Sequence, residues 1–187
     1  MTLGDRFEAV LAAGGRGVPS AIETLYRDLA PVVFGYLRGQ GAAEPDDLAS
    51  DVFVAMVRNL SSFQGDERGF RAWVFSIAHR RLIDERRRLS GRPEDPVDPA
   101  WMGGPLADRR GGDVEEEALA DLGRQWIVGA LAELSLNQRT VLLLRVLADL
   151  SVAEVAQVLG KSQGAVKMLQ RRALLRLAKR IEREGVT

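Results

Sequence analysis

Apolar residues recur every three or four positions along most of the chain, which is the spacing of one face of an α-helix. The first half contains three such stripes. Their members are Ile22, Leu25, Leu29, Val33 and Tyr36; Leu48, Val52, Met56 and Leu60; and Phe70, Trp73, Val74, Ile77, Ala78 and Leu82. Strand-like alternation is missing from this half, so the pattern predicts an all-α fold.

Local signals predict where two of these helices begin. Ser20 is placed to cap the first, and Pro31 lies inside it, where the missing N–H predicts a kink or a split. The second follows Pro45, with Asp46 and Asp47 in its first turn, where acidic side chains oppose the helix dipole.

The amino-acid composition changes after residue 90. Residues 91–117 are rich in Pro, Gly and acidic residues, which predicts a flexible linker. Helical spacing then returns in four segments, which cover 119–134, 137–147, 151–159 and 163–183. We therefore predict two small helical domains, 1–90 and 119–187, joined by a linker at 91–118. The linker leads us to expect few contacts between the domains and independent folding of residues 119–187.

Charge is balanced overall but segregated along the chain. The chain has 26 basic and 26 acidic side chains, yet residues 68–92 hold eight arginines against Asp84 and Glu85. Residues 161–183 hold eight basic residues against Glu182. Two basic segments in an otherwise acidic chain indicate a polyanionic partner better than the net charge does.

Composition excludes several classes of function. There is no cysteine and only one histidine, His79, so we expect no metal site and no cofactor. No glycine-rich phosphate loop is present, and the carboxylates fall on exposed helical faces or in the linker, so we expect no catalytic residue and no enzyme. No apolar run reaches the roughly 18 residues of a membrane span, which favours a cytoplasmic protein without membrane insertion.

A helix-turn-helix signature spans residues 151–169. Ser151 and Glu154 have capping-box spacing, and Gly160 suits the positive φ of a tight turn. Ser162 can cap the next helix, with Val166 and Leu169 facing inward. An ordinary helical hairpin fits the same spacing, but the basic second helix favours insertion into the major groove of DNA.

The arginine-rich segment follows a polar loop, "SSFQGDERG", that contains Phe63. Aromatic rings beside cations are typical of surfaces that bind single strands. Two alternatives stay open at this point. The arginines can be a solvated face, and Phe63 can be a core anchor. The spacing of Trp73 favours the core over base stacking.

The order of these parts resembles bacterial sigma factors. "DDLASDVFVAMVRNLSSFQGDERGFRAWVFSIAHRRLIDERRR" resembles their regions 2.2 to 2.4, and "LAELSLNQRTVLLLRVLADLSVAEVAQVLGKSQGAVKMLQRRALLRL" resembles region 4. A bare linker in place of a third domain resembles the extracytoplasmic-function group. The resemblance covers about residues 21–180.

The resemblance implies a transcription initiation factor that binds core RNA polymerase and promoter DNA. The clamp helices of the largest subunit would contact Asp46, Asp47, Ser50, Asp51 and Arg58. The −10 element would contact Phe63, Gln64, His79, Arg80, Arg81 and Arg87. The −35 element would contact Ser162, Gln163, Lys167, Gln170, Arg171, Arg172 and Arg176. The flap of the second-largest subunit and an anti-sigma factor are further expected partners.

Three positions depart from the family pattern and leave sequence preference open. They are Arg80, where the family often has Asn, Lys161, where it usually has an aliphatic residue, and Leu169, where it often has Arg. A helix-turn-helix regulator that acts without polymerase, its first half serving as a dimerisation domain, is the alternative function. A purely protein-binding helical module, such as a polymerase inhibitor, is a second alternative.

Overall fold

The computed structural model describes residues 3–90 and 125–185, and these residues form α-helices and turns without any strand. The predicted all-α fold is confirmed. The helices are α1 (Phe7–Gly15), α2 (Pro19–Gly39), α3 (Pro45–Asn59), α4 (Glu67–Ser90), α5 (residues 125–132), α6 (Leu136–Val146), α7 (Val152–Leu159) and α8 (Gln163–Glu184). Short 3₁₀ turns cover Gly4–Arg6 and Leu60–Ser62. The predicted linker and residues 119–124 lie outside the described residues.

The first core forms where the stripes of α2, α3 and α4 face one another. Tyr36, Met56, Phe75 and Leu82 are among the largest fully buried side chains. Ile22, Trp73 and Ile77 pack at its edge and are partly buried, and the other predicted stripe residues are buried. Helical periodicity therefore identified this core.

The predicted cap of α2 is wrong, and of the kink or split predicted at Pro31 the split is absent. Val18, not Ser20, is the N-cap, because Pro19 starts the helix with a φ that is already helical. The helix is also not split at Pro31. Leu29, Ala30 and Val33 are buried around this exposed proline, and their packing offsets the lost hydrogen bond.

The second half starts with a cap that the sequence analysis missed. The Ser135 hydroxyl accepts from Gln138 N–H, and the Gln138 side chain accepts from Ser135 N–H, which makes a capping box at α6. Buried Arg139 donates from Nε to the Leu131 carbonyl at 2.9 Å, which ties α6 to the end of α5. Gln138 and Arg139, which are adjacent in the sequence, thus both stabilise the start of the second half.

The expectation of few contacts between the two halves is wrong. Helix α4 packs against α7, α2 packs against α6, and one apolar core contains residues of both halves. Helix α6 packs closely against Gly39, because a Cβ there would lie 3.0 Å from Leu143 Cδ1. One turn earlier, Gly35 lies against Leu147. Small residues on α2 therefore let Leu143 of α6 and Leu147, which follows that helix, approach its backbone.

A buried hydrogen bond crosses the same boundary. Gln40 Nε2 donates to Thr140 Oγ1 at 2.8 Å, and within the first half Arg86 donates to the Gln40 backbone carbonyl at 2.6 Å. Polar groups removed from water must find partners in the protein, so Arg86 holds Gln40 in place and Gln40 bonds to the second half. Arg86 belongs to the arginine-rich segment, for which a solvated face was one open alternative, and the structure buries its side chain.

Candidate nucleic-acid interface

A groove with a volume of about 1210 Å³ runs along the polar face of α4. We call it the α4 groove; one rim is the Phe63 loop, residues 63–66, and another is α7. All six residues predicted to contact the −10 element line it: Phe63, Gln64, His79, Arg80, Arg81 and Arg87. The structure therefore brings together residues that are 24 positions apart in the sequence.

Aromatic rings form the apolar wall of the α4 groove. The Phe63 ring lies 5.2 Å from both the Trp73 and the Phe70 rings. Phe63 and Trp73 are each partly buried, so each anchors the core with one side and lines the groove with the other. Phe63 is thus both a core anchor and part of the groove surface. Trp73, which was predicted to lie in the core, also lines the groove.

His79 lies in the α4 groove without contributing a charge. Its Nδ1 lies 2.9 Å from the hydroxyl of buried Tyr36. Burial, together with the positive charges of Arg86 and Lys161, lowers the pKa of His79 to about 4. His79 is therefore neutral at physiological pH, and it can give a hydrogen bond but not an ionic contact.

The cations of the α4 groove are Arg80, Arg81 and Arg87, and all three side chains are exposed. Arg87 lies 3.9 Å from Asp84, an exposed pair in which little free energy is stored. Each guanidinium can turn towards a phosphate at low cost. The groove thus presents an apolar aromatic wall and an exposed cationic rim.

Gln157 and Val158 of α7 complete the α4 groove from the other half of the chain. Sequence analysis missed both residues because nothing local links α7 with α4. Only the packing between the halves places them there, and no sequence signal for that packing was present.

The helix-turn-helix prediction agrees with the local geometry. The Ser151–Glu154 capping box is present, and Gly160 has φ of +60°. The Ser162 hydroxyl accepts from Ala165 N–H at the start of α8, while Val166 is fully buried. The predicted recognition helix is therefore α8.

The seven predicted −35 residues have different surroundings. Gln163, Lys167, Arg171 and Arg172 are exposed, and none of the four forms an ion pair within the described part of the chain. Ser162 is occupied as a cap, Gln170 is half-buried, and Arg176 donates to Gln138 Oε1 at 3.5 Å. Leu169 is partly buried in the core, so its side chain helps to hold the motif together.

The predicted polymerase-contact residues are all exposed on α3. They are Asp46, Asp47, Ser50, Asp51 and Arg58. Asp46 accepts from Arg38 at 3.0 Å and Ser50 donates to the Asp46 backbone carbonyl, so Asp47 and Asp51 are the less engaged acids. Exposed Val54 and Val57 lie on the same helix, and sequence analysis missed them because it looked for charge.

Residues 3–90 and 125–185 contain no group of three or more potential metal ligands. None of their helices is long and apolar enough to span a membrane.

Comparison with protein families agrees with this organisation. Residues 22–92 match the Sigma-70 region 2 model, and residues 130–179 match the Sigma-70, region 4 model. A solved structure of CnrH in complex with the cytosolic domain of CnrY aligns with a TM-score of 0.67 at 24% identity. The alignment covers 95% of this chain and 98% of that one, which supports the fold.

Curated relatives are more similar in sequence. The ECF RNA polymerase sigma factor ShbA of Streptomyces griseus is 34% identical, over 86% of this chain and 87% of the relative. SigD of Mycobacterium tuberculosis is 32% identical, over 97% of this chain and 87% of the relative. BldN of Streptomyces coelicolor is 32% identical over 87% of this chain, which spans 61% of that longer relative. The chain therefore belongs to the ECF RNA polymerase sigma factors.

Proposed function

We propose that this sigma factor works in the cytoplasm and divides promoter recognition between two surfaces. It binds core RNA polymerase, as its family does, and initiates transcription without being an enzyme. In our proposal the α4 groove holds the unpaired strand of the −10 element. The exposed face of α8 contacts the −35 element as a duplex.

The observation that supports this division best is the convergence of all six predicted −10 residues on one groove. An unpaired strand exposes both its phosphates and the faces of its bases. Exposed arginines suit the phosphates, and a wall of Phe63 and Trp73 suits a base face, where stacking contributes about 1–3 kcal/mol per base. A duplex hides its base faces and has no use for such a wall.

The α8 surface has the opposite character. Lys167, Arg171 and Arg172 are exposed on a helix that follows a tight turn, and the second helix of such a motif enters the major groove. An arginine that donates two hydrogen bonds to a guanine edge discriminates by about 1–3 kcal/mol. This surface therefore suits sequence recognition in closed DNA.

Core polymerase is proposed to bind the exposed acids of α3. Asp47 and Asp51 suit a basic partner, and the neighbouring Val54 and Val57 offer apolar area at the same surface. Contact with the polymerase flap and with an anti-sigma factor remain predictions from the family resemblance.

Run-off transcription with purified core polymerase tests the proposal. We expect promoter-specific transcripts only when both proteins are present, whereas a regulator that acts without polymerase would bind its promoter alone.

Asp51→Arg should weaken polymerase binding about tenfold or more, because charge reversal at an interface costs several kcal/mol. Circular dichroism checks the fold, and Glu23→Arg, an exposed acid on α2, is the control. Equal binding by wild type and Asp51→Arg at moderate salt would remove α3 from the interface.

A further inference from the structure

The segment Leu3–Gly15 lies before the region 2 match, which begins at residue 22. It consists of the 3₁₀ turn Gly4–Arg6 and helix α1. None of the sequence predictions gave it a role. In the structure it contacts both ends of the Phe63 loop.

The first contact lies just after the loop. Glu67, the first residue of α4, accepts from Leu3 N–H at 2.7 Å and from Gly4 N–H at 2.9 Å. Hydrogen bonds to a carboxylate are about twice as strong as neutral ones. Gly4 has φ of +54°, a conformation that other residues rarely adopt. The turn is therefore shaped to present two N–H groups to one carboxylate.

The second contact lies just before the loop. Helix α1 ends at Gly15 and packs on the 3₁₀ turn Leu60–Ser62. A Cβ at Gly14 would lie 2.8 Å from Leu60 Cδ2, and one at Gly15 would lie 3.4 Å from Ser61 Cα. The second of these neighbours is backbone already at van der Waals contact distance, so the atoms beyond Cβ of a large side chain at Gly15 would crowd the turn that precedes Phe63.

A third contact is made through the aromatic side chains that pack against Phe63. Buried Phe7 of α1 has its ring 5.6 Å from the Phe70 ring, which in turn lies 5.2 Å from Phe63. Phe63 also folds over Gly65, whose added Cβ would meet Phe63 Cζ at 3.0 Å. The loop is thus held before, after and below by residues 3–15.

We propose that this segment is a brace that positions Phe63 and Gln64 for the unpaired −10 strand. The inference rests on the proposed function, because it assigns these two residues to that strand. Ordering the backbone of a free loop costs roughly 1–2 kcal/mol per residue when the strand binds. A brace that orders the loop beforehand removes part of that cost. The brace residues that make these contacts act through Phe63 and are positioning residues; they are Leu3, Gly4, Phe7, Gly14 and Gly15.

Two variants loosen the brace at different points. Gly15→Leu displaces the turn before the loop, and Glu67→Ala removes the acceptor after it. Ala12→Leu is the matched control for the first, because Ala12 is on the exposed face of the same helix. Glu67→Gln keeps one acceptor oxygen and should fall between wild type and Glu67→Ala.

Hydrogen exchange on the free protein tests the brace without DNA. We expect the Phe63 amide, which donates to the Leu60 carbonyl, and the Gly69 amide, which donates to the Asp66 side chain, to exchange about tenfold faster in Gly15→Leu and Glu67→Ala, which corresponds to about 1.4 kcal/mol. Amides of α6 and α8 should be unchanged, and Ala12→Leu should match wild type. Unaltered exchange at Phe63 and Gly69 in both variants would overturn the proposal, whatever the chain does at a promoter.

Binding by the reconstituted holoenzyme tests the consequence. On DNA with an unpaired −10 strand we expect both variants to bind about tenfold more weakly, whereas binding of a −35 duplex fragment stays constant.

If the brace acts through Phe63, Gly15→Leu should cause little further loss in a Phe63→Ala background. Additive losses would contradict positioning through Phe63. If Phe63→Ala alone has no effect while the exchange result holds, the brace stands and the proposed role of Phe63 fails.

Discussion

The two basic helices have similar lengths and charges but very different surroundings. Helix α4 has eight buried residues, including the charged pair Glu85 and Arg86, and its cations surround a groove. Among the described side chains of α8, Val166 and Ala173 are buried, and most of the others are exposed. A groove that accepts an unstacked strand needs walls from several elements. A helix that enters the major groove needs only an exposed face.

This difference leads to a general expectation. Changes in α4 should affect stability or strand binding according to whether the side chain is buried or exposed. Changes at the exposed positions of α8 should leave stability nearly constant and alter DNA binding alone. The following predictions test that contrast, from the largest expected effect to the smallest.

Acid should destabilise the α4 region through His79. Burial lowers its pKa to about 4 in the native state. Between about pH 6.5 and 4, His79 is therefore protonated in the unfolded chain but neutral in the native state. The free energy of unfolding should therefore fall as pH drops from about 6.5 to 4, by about 3 kcal/mol in total. Urea unfolding of wild type and His79→Gln across this range measures the difference, in which the common carboxylates cancel. Parallel pH profiles would show that His79 does not titrate as described.

Neighbouring arginines of α4 should behave differently. Arg86→Met removes a buried donor to Gln40 and should lower the free energy of unfolding by about 2 kcal/mol. Arg87→Met removes an exposed cation, so stability should change by less than about 0.5 kcal/mol while binding to an unpaired −10 strand weakens. Chemical denaturation and strand binding separate the two effects. Equal stability losses would remove the distinction between buried and exposed positions.

The exposed arginines of the α4 groove should favour open DNA over closed DNA. Arg80→Ala with Arg81→Ala should reduce holoenzyme binding to an unpaired −10 strand about tenfold, and should lower the salt slope by about one per lost phosphate contact. The matched control is Arg88→Ala, an exposed arginine of the same helix that does not line the groove. Permanganate reactivity reports the opened region. Equal weakening on closed duplex would make this helix a general phosphate contact.

Two cations of α8 should separate specificity from affinity. Arg171→Ala should reduce discrimination among −35 sequences by about 1 kcal/mol, because a bidentate contact with a guanine edge is sequence-specific. Lys179→Ala should weaken every sequence alike, by a few-fold, with a shallower salt dependence. Binding across −35 substitutions at two salt concentrations measures both. A uniform loss for Arg171→Ala would assign Arg171 to phosphate positioning.

Sequence alone predicted the features that depend on near neighbours in the chain. The Ser151–Glu154 capping box, the positive φ of Gly160 and the cap at Ser162 each involve residues within one helical turn, where chemistry and spacing are sufficient. Periodicity likewise identified the buried faces of α2, α3 and α4. The exposure of Lys167, Arg171 and Arg172 follows from the same periodicity on α8.

Tertiary structure decided what depends on distant partners. An arginine in a run of arginines looks solvated, and only packing shows that Arg86 is buried against Gln40 while Arg87 is exposed. His79 looks like a cation until burial lowers its pKa. The same holds for Gln157 in the α4 groove and for Glu67 beneath Leu3 and Gly4, since each contact joins residues more than 60 positions apart. The sequence by itself determines side-chain chemistry and local spacing, whereas burial depends on which surfaces meet when the helices pack.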